Sequence, residues 1–294
     1  MTAPIVTIIV TFNNSEDSPI IYKLLSISLI ILWGGNLLAT EASAVSVEAI
    51  ALVGNISPNE TFDVAVIFTM KDGWHTYWQN PGESGMASSF NWKLPEGFIV
   101  LNQKEPVPTR HVDDGITTFI HEEEAIYLFQ IQTPDQIPDS SEFSAEVNWL
   151  ECKNLCRPGS ASLSFSLPND SPAFPNGVSE DRLLQKAELH LPHIQKELLI
   201  TASMRKSYVN VRLNLKPPDG SELKSVEFFP FEEMVYDIAN PVTIRRNFWR
   251  TSLRIPLLDY RENDPVTLEG VLVSVYKTPK GQKRIASSIN QPIQ

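Results

Sequence analysis

Cysteine is nearly absent from this sequence: Cys152 and Cys156 are the only two in 294 residues. A multi-bridge framework of the kind that holds small secreted domains together is therefore excluded, and a chain this long does not need one. Basic charge is also short, with 24 Lys and Arg against 35 Asp and Glu, a formal −11 at pH 7. That balance argues against nucleic acid or an anionic membrane surface as partner, so no nucleic-acid binding is expected. Histidine is scarce, and His75, His111, His121, His190 and His193 form no His-Glu-x-x-His motif, nor is there a Cys-x-x-Cys pair. No metal site is expected on that spacing. No strand followed by a glycine-rich loop and helix offers a phosphate cradle, and no serine, histidine and carboxylate set marks a hydrolase; no cofactor is expected. Beyond residue 38 no apolar run is long enough to cross a bilayer.

One apolar run does stand near the N-terminus. Tyr22-Lys23 precedes residues 24–38, and Ala42-Ser43-Ala44 follows with small side chains. A core of about 15 residues is too short to span a bilayer and fits a secretory signal peptide, here expected over residues 1–44 with cleavage after Ala44. Residues 1–21 resemble neither targeting nor fold, as an over-early start would leave. The remaining 250 residues carry 23 basic and 32 acidic side chains, a formal −9.

From residue 45 the pattern is strand-like. Val45-Ser46-Val47-Glu48-Ala49 alternates, and residues 61–69 are β-branched and aromatic-rich with partial period two. Further short strands are expected at 125–131, 143–150 and 161–167, separated by Pro, Asp and Ser clusters, which suggests an antiparallel sandwich. Three prolines within 168–177 read as an interdomain linker. Ser179 with Glu180 and Asp181 then marks a helix start, and Pro192 its end. Alternation returns at 208–215 and 266–276, predicting a second, smaller β domain.

Trp149-Leu150-Glu151-Cys152-Lys153-Asn154-Leu155-Cys156-Arg157-Pro158-Gly159 holds both thiols. In an oxidising compartment two thiols this near tend to pair. A loop of about five residues gains roughly 2 kcal/mol from cross-linking, against nearly 5 for a loop of about a hundred, so a staple here stabilises little. The short loop also keeps the thiols close after reduction, as exchange chemistry requires. Arg157 beside Cys156 favours its thiolate, whereas Glu151 opposes that of Cys152, with Lys153 offsetting it. Cys156 is then the attacking and Cys152 the resolving thiol. Residue types alone leave exchange and a passive staple both open. Trp74, Tyr77, Trp78 and Trp92 read as core and edge packing, given how much area such rings bury.

Asp72-Gly73-Trp74-His75-Thr76-Tyr77-Trp78-Gln79-Asn80-Pro81-Gly82-Glu83-Ser84-Gly85, then Trp92-Lys93-Leu94-Pro95-Glu96-Gly97-Phe98, resembles the N-terminal periplasmic domain of the DsbD and ScsB family of membrane disulfide reductases. So does the tryptophan-led cysteine motif ending in Cys156-Arg157-Pro158-Gly159. The match covers about residues 45–170 and is weaker over 178–294, which resembles the second β region of ScsB-like members. The typical Trp-Pro-x-Pro is reduced here to Pro106-Val107-Pro108.

The resemblance implies an all-β chain: an immunoglobulin-like antiparallel sandwich over 45–168, a linker with a short helix over 169–195, and the second β domain over 196–294. It implies thiol–disulfide exchange in the periplasm through Cys156 and Cys152, with thioredoxin-like or disulfide-bonded proteins as partners. A loop covers the cysteines in that family, and by position His111, Val112, Asp113 and Asp114 are its counterpart. The membrane and thioredoxin-like domains that follow in the family have no counterpart here, so a separate membrane electron donor of the DsbD/ScsB type is expected. The alternative is a non-catalytic immunoglobulin-like interaction module with a structural disulfide; metal handling by the thiols and histidines ranks last.

Overall fold

The computed structural model describes residues 43–53, 55–138, 141–167, 179–195, 198, 200–215, 217–218, 220–246 and 251–294. The expected signal peptide lies outside them up to residue 42, and the proline-rich stretch at 168–177 lies outside them entirely.

Strands β2 (Thr61–Met70) and β8 (Glu124–Gln132) pair antiparallel, with β1 (Val45–Ala51) beside β2 and β5 (Ile99–Lys104) beside β8. The facing sheet runs β10 (Cys156–Leu167), β9 (Ser141–Cys152), β3 (His75–Gly82), β7 (Ile116–Glu122), β6 (Thr109–Asp113). One edge of β9 is shared: β4 (Ser89–Lys93) lies along 144–148, and β3 meets only its last residue, His75 opposite Cys152. Alternate residues of the two sheets point inward. They bring Phe62, Phe68, Tyr127, Phe129, Phe143, Val147 and Trp149 into one core. Its rings meet edge to face, Phe68 on Trp149 at 5.5 Å and Phe62 on Phe143 at 5.9 Å, the arrangement that ring quadrupoles favour.

Helix α1 (Glu180–His190) explains why β2 alternates only in part. Its Leu183 and Ala187, with Leu191, cover Ala65 and Ile67 of β2 and Ile126 and Leu128 of β8 on the outer side of that sheet. A strand buried on both faces reads as a continuous apolar run. Ser179 occupies the N-cap with extended backbone, though its hydroxyl makes no capping bond, and the acidic first turn meets the positive end of the dipole.

A further pair of sheets follows: β11 (Ile200–Arg205), β12 (Tyr208–Leu213), β15 (Thr251–Pro256) and β14 (Thr243–Arg246) in one, β13 (Glu222–Pro230), β16 (Thr267–Thr278) and β17 (Gly281–Pro292) in the other. Val209, Val211, Leu253, Phe228, Leu272 and Tyr276 fill the space between them. The chain is thus all-β, as expected, with α1 the sole helix among the described residues. Between the two sandwiches, Trp78 and Phe119 of the first pack on Phe229, Val271 and Val273 of the second. The buried Asn80 side chain donates to the carbonyls of Pro230 and Glu232 at 2.9 and 3.2 Å.

Candidate functional site

Strands β9 and β10 form a hairpin of twelve cross-strand pairs closed by Lys153-Asn154-Leu155, and its last facing pair is Cys152 and Cys156. The two are joined by a disulfide with Cα atoms 4.1 Å apart. They differ sharply in surroundings: Cys152 is 2% exposed, while Cys156 is exposed. The phenol of Tyr77 donates to Cys152 Sγ at 3.1 Å and lies 3.7 Å from Cys156 Sγ. Burial raises the pKa of Tyr77, so its hydroxyl keeps the proton it offers.

Close approach explains two glycines of the motif segments. A side chain on Gly85 would meet the Tyr77 ring at 2.3 Å, and one on Gly159 would meet the indole of Trp149, its cross-strand neighbour, at 2.4 Å. Trp149 in turn donates from Nε1 to Glu151 at 3.2 Å.

Glu151, 1% exposed, is the hub beneath the disulfide. Its carboxylate accepts from Ser43 Oγ at 2.7 Å, from the Ala44 and Val45 amides at 3.1 Å, and from Arg157 Nε at 2.6 Å. Burial works to raise its pKa, but the bonds from Ser43, Ala44, Trp149 and Arg157 outweigh it and hold the carboxyl below its ordinary value. Arg157 therefore serves a carboxylate, and its guanidinium lies over the Trp74 ring at 4.7 Å. Successive side chains of a strand point to opposite faces, and Arg157 lies on the Glu151 side of β10.

The register places Leu150, Cys152, His75, Tyr77, Ile120, His111 and Asp113 on the outer face of one sheet, through the pairs His75 with Cys152, Tyr77 with Ile120, His111 with Thr118 and Asp113 with Ile116. The His75 ring stands 5.4 Å from both the Tyr77 and the His111 rings. Burial, then the neighbouring His111, lowers the pKa of His75 to about 4, against a smaller opposing effect of Asp113. Of the four expected cover residues, the structure turns His111 and Asp113 to this face. Val112 alternates to the other side, 59% exposed, and Asp114 with Gly115 makes the tight turn between β6 and β7, both at positive φ (48° and 83°). Exposed Ile116, opposite Asp113, belongs to the same face, Leu155 stands exposed in the loop between the two cysteines, and Met86 is exposed beside Gly85. Tyr77 was legible only as an aromatic, because its partner Cys152 stands 75 residues away, and the roles of His75 and Glu151 rest in part on His111 and Ser43, 36 and 108 residues away.

An antiparallel sandwich with a disulfide at the tip of its longest hairpin, one sulfur exposed and the other buried, is the class of domain described so far. Residues 41–168 match the family described as thiol:disulfide interchange protein DsbD, N-terminal, and this part of the chain is a DsbD N-terminal-like domain, from a family of thiol:disulfide interchange. Among solved structures, the N-terminal periplasmic domain of ScsB from Proteus mirabilis shares the fold: TM-score 0.53 at 17% identity, covering 86% of this chain and 96% of that one. The DsbD N-terminal domain of Neisseria meningitidis in its reduced form also matches, at 13% identity, 45% and 91% coverage and a TM-score of 0.29. No curated protein matches the chain. Among the described residues no helix is long and apolar enough to cross a membrane.

Proposed function

We propose that the protein is a periplasmic thiol:disulfide exchange protein that passes reducing equivalents from a separate membrane donor to oxidised periplasmic proteins through Cys156 and Cys152. The observation that carries this reading is the asymmetry of the pair: an exposed Cys156 sulfur, and a buried Cys152 sulfur that accepts a hydrogen bond from Tyr77.

A donor thiolate, from a thioredoxin-like partner, attacks the exposed sulfur of Cys156. A bond forms between the donor and Cys156, the Cys152–Cys156 bond breaks, and its electron pair passes to Cys152 Sγ, where the Tyr77 hydroxyl stabilises the new thiolate. The donor's second thiol then attacks its own sulfur in the mixed disulfide and releases Cys156 as thiolate. One protein disulfide has become a dithiol, and the donor dithiol a disulfide. With an oxidised substrate the same steps run in reverse: Cys156 attacks and Cys152 resolves. The exposed apolar side chains of Met86, Ile116 and Leu155 offer a surface on which such partners dock.

Cys156→Ser abolishes disulfide reduction of a partner, and Cys152→Ser accumulates a mixed disulfide through Cys156, read on non-reducing gels. Both single variants exchanging at the wild-type rate would sink the reading. A passive staple in an interaction module instead predicts a potential below about −300 mV and no turnover.

A further inference from the structure

Five donors converge on the Glu151 carboxylate. Its Oε1 accepts from the Ala44 amide and Arg157 Nε, and its Oε2 from Ser43 Oγ, the Val45 amide and Trp149 Nε1. A carboxylate offers about four acceptor sites, so this one is overfilled. Three of the five donors belong to residues 43–45. The cation among them is Arg157, whose side chain is 26% exposed, while that of Glu151 is 1% exposed. The same short segment holds Ala42-Ser43-Ala44, the small residues after which cleavage is expected. A cut there makes the Val45 nitrogen a new amino terminus. Two independent features thus meet at one atom, since that nitrogen already stands 3.1 Å from Glu151 Oε2.

We propose that hydrolysis of the Ala44–Val45 bond turns the Val45 amide into an α-ammonium that pairs with Glu151, so that the mature amino terminus is a buried ion pair beneath the hairpin carrying Cys152 and Cys156. The inference rests on export of the chain, as in the reading above, and not on exchange by its cysteines. A signal peptidase catalyses the step and water is consumed: the C–N bond breaks, Ala44 takes up the oxygen and leaves as a carboxylate, and the Val45 nitrogen is protonated. At pH 7 an α-amino group, with an ordinary pKa of about 8, holds that proton. Ser43 Oγ and the Ala44 amide depart, which leaves three donors for about four acceptor sites. An ammonium has three N–H groups where the amide had one, so one stays on Oε2 and a second takes a vacated site. Burying an ammonium is costly without a partner, and here the partner is in place beforehand. Lys71, which donates from its amide and Nζ to the Ala44 and Ser43 carbonyls at 2.9 and 3.2 Å, is exposed, so water replaces those acceptors. Strand β1 is kept, because its first pair, Val45 with Met70, follows the cut. Ala44 and Val45 are each 3% exposed, so the bond is cut before the domain folds.

Two measurements test this. The full chain is exported to the periplasm of a Gram-negative host, and the mass and amino-terminal sequence of the product are read. A product beginning at Val45 is expected. One beginning at any other residue overturns the inference and leaves the exchange reading standing. An uncut chain overturns it too, and takes the periplasmic placement of the exchange reading with it. The exported product is then compared in urea denaturation with the same chain carrying an Nα-acetyl group. The acetyl group occupies the place of the Ala44 carbonyl and α-carbon, so it fits the fold, keeps one N–H on Glu151 and removes the charge. Acetylation is expected to lower the folding equilibrium constant by at least about tenfold, as the loss of a hydrogen bond between charged groups does. Equal stability of the two forms overturns the ion pair.

Discussion

Tyr77 and Glu151 divide the chemistry around the two sulfurs between them. The phenol serves Cys152, and the carboxylate gathers Arg157, Trp149 and the segment from Ser43 to Val45 beneath the hairpin tip. Hydrogen bonds to charged groups contribute about 1.5–3 kcal/mol, so Tyr77→Phe is expected to raise the pKa of reduced Cys152 by at least about one unit. Reduction of the disulfide slows correspondingly, by about tenfold. Thiolate absorbance against pH and the rate with dithiothreitol check the two effects; an unchanged Cys152 titration would remove Tyr77 from the mechanism. None of this was legible locally. The short spacing and Arg157 were visible in the sequence, but strand alternation sends Arg157 to Glu151, and only the fold brings Tyr77 to Cys152.

The elements owe their form to patterns that were largely readable. Alternation at 45–49, 143–150 and 208–215 became β1, β9 and β12. Where the pattern was ambiguous, at 61–69, the reason is α1 lying on the outer face of the sheet. The β9–β10 hairpin shows how tightly an element is constrained by one position. A methyl on Gly159 would stand 2.4 Å from the Trp149 indole, and Trp149 is 1% exposed in the core, with no room to withdraw. Overpacking of this kind costs about 1–3 kcal/mol. Gly159→Ala is therefore expected to lower stability by that amount in urea denaturation and to shift the Trp149 fluorescence. Full stability in the variant would mean that the two strands separate more easily than the register implies.

At the scale of the whole molecule, the two sandwiches share an aromatic seam of Trp78, Phe119 and Phe229, and acid should loosen the assembly in a definite window. His75 has its folded pKa lowered from 6.5 to about 4. The unfolded chain therefore takes up a proton that the folded chain refuses, so the contribution is whole above pH 6.5 and is lost as pH falls toward 4. A shift of this size corresponds to about 3 kcal/mol. Glu151, held below its ordinary 4.5, adds a loss in the same direction at lower pH still. Denaturation midpoints measured between pH 7 and 4 should fall steadily, and His75→Gln should flatten the upper part of that slope. A midpoint independent of pH across this window would contradict the burial of neutral His75.

What the sequence by itself determined is the set of local decisions: all-β strands from period two, a helix between Ser179 and Pro192, one candidate redox pair, and motif segments enough to point to the family. These follow from residues near one another along the chain, whose preferences act before any tertiary contact exists. Tertiary structure alone decided which sulfur is exposed, that Arg157 pairs with Glu151, that Tyr77 serves Cys152, and that Arg110 on β6 donates to the Ile238 carbonyl. Each of those depends on burial and on partners up to 128 residues away, and spacing along a chain holds no record of distance through space.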